Sequence, residues 1–170
     1  SARTPAVAAL GWEPISIQAA APPDGAVAVL GDAGPVAQAL FEHGSGPVFG
    51  PLSWSSPGSA SLSLAQSKQA ILWFPSLEQV HALVQNVSLR AKQSPLTWTV
   101  VTTKRAVASL VRSLFAEPMG LDGQVLMVEP NVTIEPDLLW SVMRWARGRT
   151  VHWDGRRLSQ PTLHGVSALA

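Results

Sequence analysis

Three groups of residues in this 170-residue chain have types and spacings that could support chemistry. The first is Gly31-Asp32-Ala33-Gly34-Pro35-Val36-Ala37, directly after the apolar run Ala26–Leu30. A strand, a glycine turn and a helix start in that order form the place where a dinucleotide fold cradles a pyrophosphate. Its glycines allow close backbone approach, and free N–H groups at the helix start bind the charge. Here the pieces work against each other. Pro35 removes an N–H from the helix start, and Asp32 puts a negative charge beside the expected phosphate. The ribose partner expected about 20 residues further on has no candidate, because residues 43–67 contain no Asp, Glu, Lys or Arg. Gly31, Asp32, Gly34 and Pro35 are therefore read as a degenerate turn, and no cofactor is expected. The alternative is a small NADP-binding reductase, or another nucleotide-binding protein, that uses the turn from Gly31 to Ala37.

The second group is the histidines and carboxylates. His43, His81, His152 and His164 are scattered with no His-x-x-x-His pair, there is no Cys, and no Gly-x-Ser-x-Gly elbow is present. Glu129 and Glu135 each flank a proline at an element end, where an acidic residue favours a helix start. No catalytic residue and no metal site are expected. The third group is Arg144, Arg147, Arg149, Arg156 and Arg157, interleaved with Trp145 and Trp153. Basic residues with aromatics can bind nucleic acid. The net charge of +1 favours a plainer reading: cations at a helix C-terminus and on an edge hairpin, able to seat against an acidic neighbouring domain.

The elements that would position these residues follow from pattern. Residues 9–17 read as a short strand, and Ala21-Pro22-Pro23-Asp24-Gly25 as a turn. Ala26–Leu30 is a continuous apolar run of the kind buried on both faces of a parallel sheet, and Pro35 opens a helix to about His43. Residues 44–63 are dominated by Gly, Ser and Pro, with short strands expected at Val48-Phe49 and Leu52–Trp54. Ala70–Phe74 is the next strand. Ser76-x-x-Gln79 is a capping box that opens a helix to about Lys92. Leu96–Thr103 is β-branched and reads as a strand. Val107, Leu110, Val111, Leu114 and Phe115 have helical spacing. Gln124–Val128 is a strand, Pro136 opens a helix, and Thr150–Trp153 and Arg156–Ser159 flank the hairpin signal Asp154-Gly155. Alternating strands and helices argue for an α/β fold with a doubly wound, mostly parallel sheet. Extra strands are expected from the two termini, with 1–8 and 164–170 as linker-like ends of a single domain.

Composition narrows the class. Hydrophobic residues make up 46% and charged residues only 14%, against about 25% charged in a typical soluble domain. There are seven Trp, four Phe and no Tyr. Disorder is excluded by the hydrophobicity and low net charge, and a disulfide scaffold by the lack of cysteine. Pro, Gly or charge breaks every apolar run well short of the about 20 residues a transmembrane helix needs. No signal peptide is visible, a cytoplasmic location is expected, and the start without Met reads as an excised fragment. The sequons at Asn86 and Asn131 are read as chance. So little charge points to a domain whose surroundings are other domains.

Several segments, in order, resemble the ketoreductase region of modular type I polyketide synthases. Leu10-x-Trp12-x-Pro14 is similar to its opening strand, and Val27–Gly34 to its first Rossmann strand and degenerate glycine turn. Leu96–Val107 resembles its Trp-containing strand. Leu110-Val111-Arg112-Ser113, Glu117-Pro118 and Gln124–Glu129 resemble the stretch that follows. Val151-x-Trp153-Asp154-Gly155-Arg156-Arg157-Leu158-x-x-Pro161 is similar to its closing segment. The resemblance covers residues 9–163, except that 43–67 is contracted and uncharged and Glu117-Pro118 lacks an intervening residue. It implies the N-terminal structural subdomain, a truncated Rossmann-like fold, and not the catalytic half, which binds NADPH and carries Tyr-x-x-x-Lys with Ser. In some synthases that structural half stands as a pseudo-ketoreductase. The implied role is a non-catalytic scaffold within a multidomain megasynthase, not an enzyme as an isolated chain. Its partners would be a catalytic ketoreductase half or a neighbouring dehydratase, methyltransferase or enoylreductase domain. No nucleic acid and no membrane are expected. Trp12, Trp54, Trp153 and Arg156 are the interface candidates, because Trp and Arg are enriched at interface cores.

Overall fold

The computed structural model describes residues 7–54, 63–93, 96–118 and 120–166. Its strands are β1 (Val7–Pro14), β2 (Val27–Leu30), β3 (Val48–Leu52), β4 (Gln69–Trp73), β5 (Leu96–Thr102), β6 (Leu121–Val128), β7 (Thr150–Trp153) and β8 (Leu158–Val166). Its helices are α1 (Gly34–His43), α2 (Leu77–Gln93), α3 (Arg105–Ala116) and α4 (Pro136–Trp145), and residues 63–66 form a further helical turn. All eight strands lie in one sheet of order β1-β8-β7-β6-β5-β4-β2-β3. From β3 to β7 every neighbour pair is parallel, whereas β8 runs antiparallel to β7 and β1 antiparallel to β8. This is a truncated Rossmann-like sheet. The strand that the full order would place outside β3 is missing among the described residues.

The run Val27–Leu30 is wholly buried, as expected for a strand with helices on both faces. On one face Ala28, Leu30, Leu72, Trp98, Val100 and Val125 pack against α2 and α3 through Val80, Leu83, Val107 and Val111. On the other, Val29, Ile71, Val101, Leu126 and Val128 meet α1 and α4 through Val36, Leu40, Leu139 and Val142. The capping box forms as expected: the Ser76 N–H donates to Gln79 Oε1 at 2.8 Å, and the Gln79 N–H to Ser76 Oγ at 3.1 Å.

Four expectations change. The two short strands expected between Val48 and Trp54 are one strand, β3, and Trp54 leaves the sheet in a turn. β6 starts at Leu121 because Leu121, Asp122 and Gly123 continue its ladder with Leu96, Thr97 and Trp98. The hairpin turn is four residues long instead of two. The carboxylate of Asp154 accepts the N–H groups of Arg156 and Arg157 at 2.7 and 2.6 Å, and this side-chain turn delays β8 to Leu158. The segments taken as linker-like ends are partly strand: Val7 and Ala8 pair with Val166 and Gly165, and Ala9 with His164. Residues 1–6 and 167–170 lie outside the described residues. No described helix is long and apolar enough to cross a membrane.

Candidate functional site

In an open parallel sheet, ligands bind beyond the carboxyl ends of the strands at the point where the strand order reverses. Here that point lies between β2 and β4, because the chain leaves β2 for β3 on one side and returns to lay β4 on the other. The degenerate turn Gly31, Asp32, Gly34 and Pro35 sits there. Its atoms are committed to the protein itself. The Gly31 N–H donates to the Leu52 carbonyl at 2.8 Å, and the Ala33 N–H to the Gly31 carbonyl at 2.9 Å. Gly31 has φ +102, and a Cβ there would stand 2.5 Å from the Trp73 carbonyl oxygen and 2.8 Å from Trp54 Nε1. It is required for close packing inside the chain.

Trp54 stands beside the turn at this switch point. Its indole Nε1–H donates to the Trp73 carbonyl at the end of β4, 3.2 Å away, and its ring packs half-buried against the core. Phe74, which follows, adopts φ 52 and donates its N–H to the Val101 carbonyl at 2.8 Å. A cleft of about 610 Å³ remains in front, lined by Gly31, Asp32, Pro51, Leu52, Trp54 and Gln79. Asp32, exposed, is the only charged residue in that lining. At the start of α1, Pro35 occupies the first turn, and no side chain caps the helix at Ala33. Nothing lies within 4 Å of a Cβ built on Gly34. An anion here would meet one carboxylate, a helix start short of one donor, and the Trp54 indole packed on the glycine turn. The residues present do not fit a dinucleotide.

The other sequence candidates are dispersed. Trp12 is 39% exposed and lies with its ring centroid 5.0 Å from that of His152. His152 Nε2 is 3.0 Å from Glu129 Oε1. Trp153 is on the opposite face, half-buried against the α4 side of the core, and its Nε1–H donates to the Thr133 carbonyl at 3.3 Å. Arg156 is exposed at the hairpin tip. The arginine cluster expected near the C-terminus is split. Arg147 pairs with Asp122 at 2.8 Å, Arg144 lies 5.5 Å over the Trp145 ring, and Arg156 and Arg157 stand beyond the far end of β7. No group of three His, Asp or Glu among the described residues is placed to hold a metal. Of the interface candidates, Trp54 and Trp153 are half-buried and each donates its indole N–H to a carbonyl of the chain, while Trp12 and Arg156 are exposed. The packing of Trp54 onto the glycine turn has no sequence signal beyond a large aromatic inside a Gly/Ser/Pro-rich run.

No protein-family model matches the sequence, and no curated protein matches it. Solved structures do. A ketoreductase domain from the bacillaene assembly line aligns over 96% of this chain and 39% of its own length, at 10% identity and a TM-score of 0.48. A C2-type ketoreductase from a modular polyketide synthase aligns over 96% of this chain at 16% identity and a TM-score of 0.63. The chain thus shares the fold of part of that ketoreductase and spans 44% of its length.

Proposed function

We propose that this chain is the non-catalytic structural subdomain of a polyketide synthase ketoreductase region. It packs against a catalytic ketoreductase half or a neighbouring modifying domain and positions it, in the cytoplasm, without a cofactor of its own. The observation that carries this reading is the glycine turn at the switch point: Gly31 is turned inward to Leu52 and Trp73, and the Trp54 indole lies against it. The lack of any Tyr supports it, since the resemblance assigns the reductase proton donor to a Tyr-x-x-x-Lys motif.

Calorimetric titration with NADPH and NADP tests the proposal. The expected outcome is no saturable binding to the isolated chain, together with ketone reduction only when the adjoining catalytic half is present. Saturable binding at micromolar concentration would overturn it in favour of a nucleotide-binding protein.

A further inference from the structure

A doubly wound sheet has its faces covered by helices because each parallel crossover deposits one. In this chain one face runs short. α2 and α3 cover β4, β5 and β6, but β7 connects to β8 by a hairpin and β8 to β1 by edge pairing. Neither connection supplies a helix, so the next place in the helix layer, beside α3 and over β7, β8 and β1, is vacant among the described residues. The vacancy is a groove of about 810 Å³. Its apolar floor is formed by Trp12, Met127 and Pro161.

The charged residues in its lining have one sign: Arg105, Arg112 and Arg149 line the groove, and no acidic residue does. Of the carboxylates at the two ends of β6, Asp122 is paired with Arg147 at 2.8 Å, and Glu129 lies 3.0 Å from His152 Nε2, outside that lining. Arg105 and Arg112 are seven residues apart on α3, two turns or about 10.5 Å along its axis. Between them stand Ala108 and Ser109, whose small side chains let a second helix approach. Arg112 is steadied by donating to the Gly148 carbonyl at 3.0 Å, and Arg149 follows one residue later.

We infer that this groove is the docking site for an acidic amphipathic helix of a partner domain. The helix lies alongside α3, with its apolar face on Trp12, Met127 and Pro161 and its carboxylates toward Arg105, Arg112 and Arg149. The inference deepens the scaffold reading by naming a surface and a partner chemistry, and it rests on that reading.

The test uses the whole 170-residue chain and a synthetic helical peptide of about five turns, with Leu on one face and Glu flanking it. A second peptide carries Lys at every Glu position. Binding is followed by amide and indole N–H chemical shifts. The expected result is saturable binding of the acidic peptide, with shifts at the Trp12 indole and at residues 105–112 and 148–152. Binding should weaken with salt and fall at least tenfold in R105E/R149E, whose exposed positions leave the fold intact by circular dichroism, and the Lys peptide should bind only that variant. Absence of binding, shifts mapped elsewhere, or equal affinity for R105E/R149E would overturn the inference. The scaffold reading fails separately, by NADPH binding or by a catalytic half that works equally well without this chain.

Discussion

Replacing Gly31 with Ala tests whether the glycine turn serves internal packing. Two penalties are legible in the geometry. At φ +102 a residue with a Cβ is held in a sparsely populated backbone region, at about 1–3 kcal/mol. The new methyl also stands 2.5 Å from the Trp73 carbonyl oxygen, 2.8 Å from Trp54 Nε1 and 2.9 Å from Trp73 Cβ, and overpacking of this kind adds about 1–3 kcal/mol. The reduced freedom of the unfolded chain returns about 0.4–1 kcal/mol, which leaves a net loss of about 1–5 kcal/mol. At a urea slope of about 2 kcal/mol/M the unfolding midpoint falls by about 0.5–2.5 M. Gly34→Ala is the control. Its Cβ meets nothing within 4 Å, and the small gain from a stiffer unfolded chain is opposed by crowding against the following Pro35. Its midpoint should move by no more than about 1 kcal/mol equivalent. Trp54→Ala and Gly31→Ala together should cost less than the sum of the two single losses, because the contact with Trp54 Nε1 disappears while the Trp73 carbonyl and the backbone angle remain. A Gly31→Ala midpoint equal to wild type, or equal losses at Gly31 and Gly34, would refute the reasoning.

Trp54→Ala alone removes a half-buried ring and its hydrogen bond and should cost about 2 kcal/mol by thermal or urea unfolding. The opened cleft should still bind no NADPH by calorimetry, since Asp32 and Pro35 remain. Thr99 and Gln124 are fully buried, and Gln124 Nε2–H donates to Thr99 Oγ1 at 2.6 Å while Gln124 Oε1 has no partner among the described residues. Thr99→Val should therefore cost about 1–3 kcal/mol by stranding the amide, whereas Thr99→Val with Gln124→Leu should be neutral or stabilising in urea unfolding. The N–H groups of Arg157 and then Arg156 hold the Asp154 carboxyl below its ordinary 3.8. A depressed folded-state value means the contribution is complete above 3.8 and is lost as pH falls through the lower folded value. Asp154→Asn should flatten that acid limb of the stability curve, and a side-chain carboxyl titration by NMR should show the low value directly.

The sequence made most of the fold legible because its signals are local. Helices α1, α2, α3 and α4 each carry a cap, a proline or apolar residues at helical spacing, and β2, β4 and β5 are apolar or β-branched runs. Signals were weakest where pairing partners decide. Leu121-Asp122-Gly123 has no strand character of its own and joins β6 because β5 is alongside. Val48–Leu52 is one strand because β2 offers an edge. The turn after Asp154 lengthens because a carboxylate satisfies two backbone donors. The charge logic of the degenerate turn was also local: Asp32 and Pro35 stand in the sequence beside the glycines they compromise.

What occupies the switch point was not legible, because Trp54 reaches Trp73 across a stretch that the sequence leaves nearly featureless. Nor was the grouping of Arg105, Arg112 and Arg149, which are up to 44 residues apart in the chain. The sequence by itself determined a charge-poor, Trp-rich α/β chain with a glycine turn unsuited to phosphate. Only the tertiary structure decided that the turn faces inward onto an indole and that two cations of α3 and one from the segment before β7 line one uncovered sheet face. The physical reason is that periodicity and capping act over a few residues. Side-chain contact across a sheet depends instead on strand order and on which crossover supplies, or fails to supply, a covering helix.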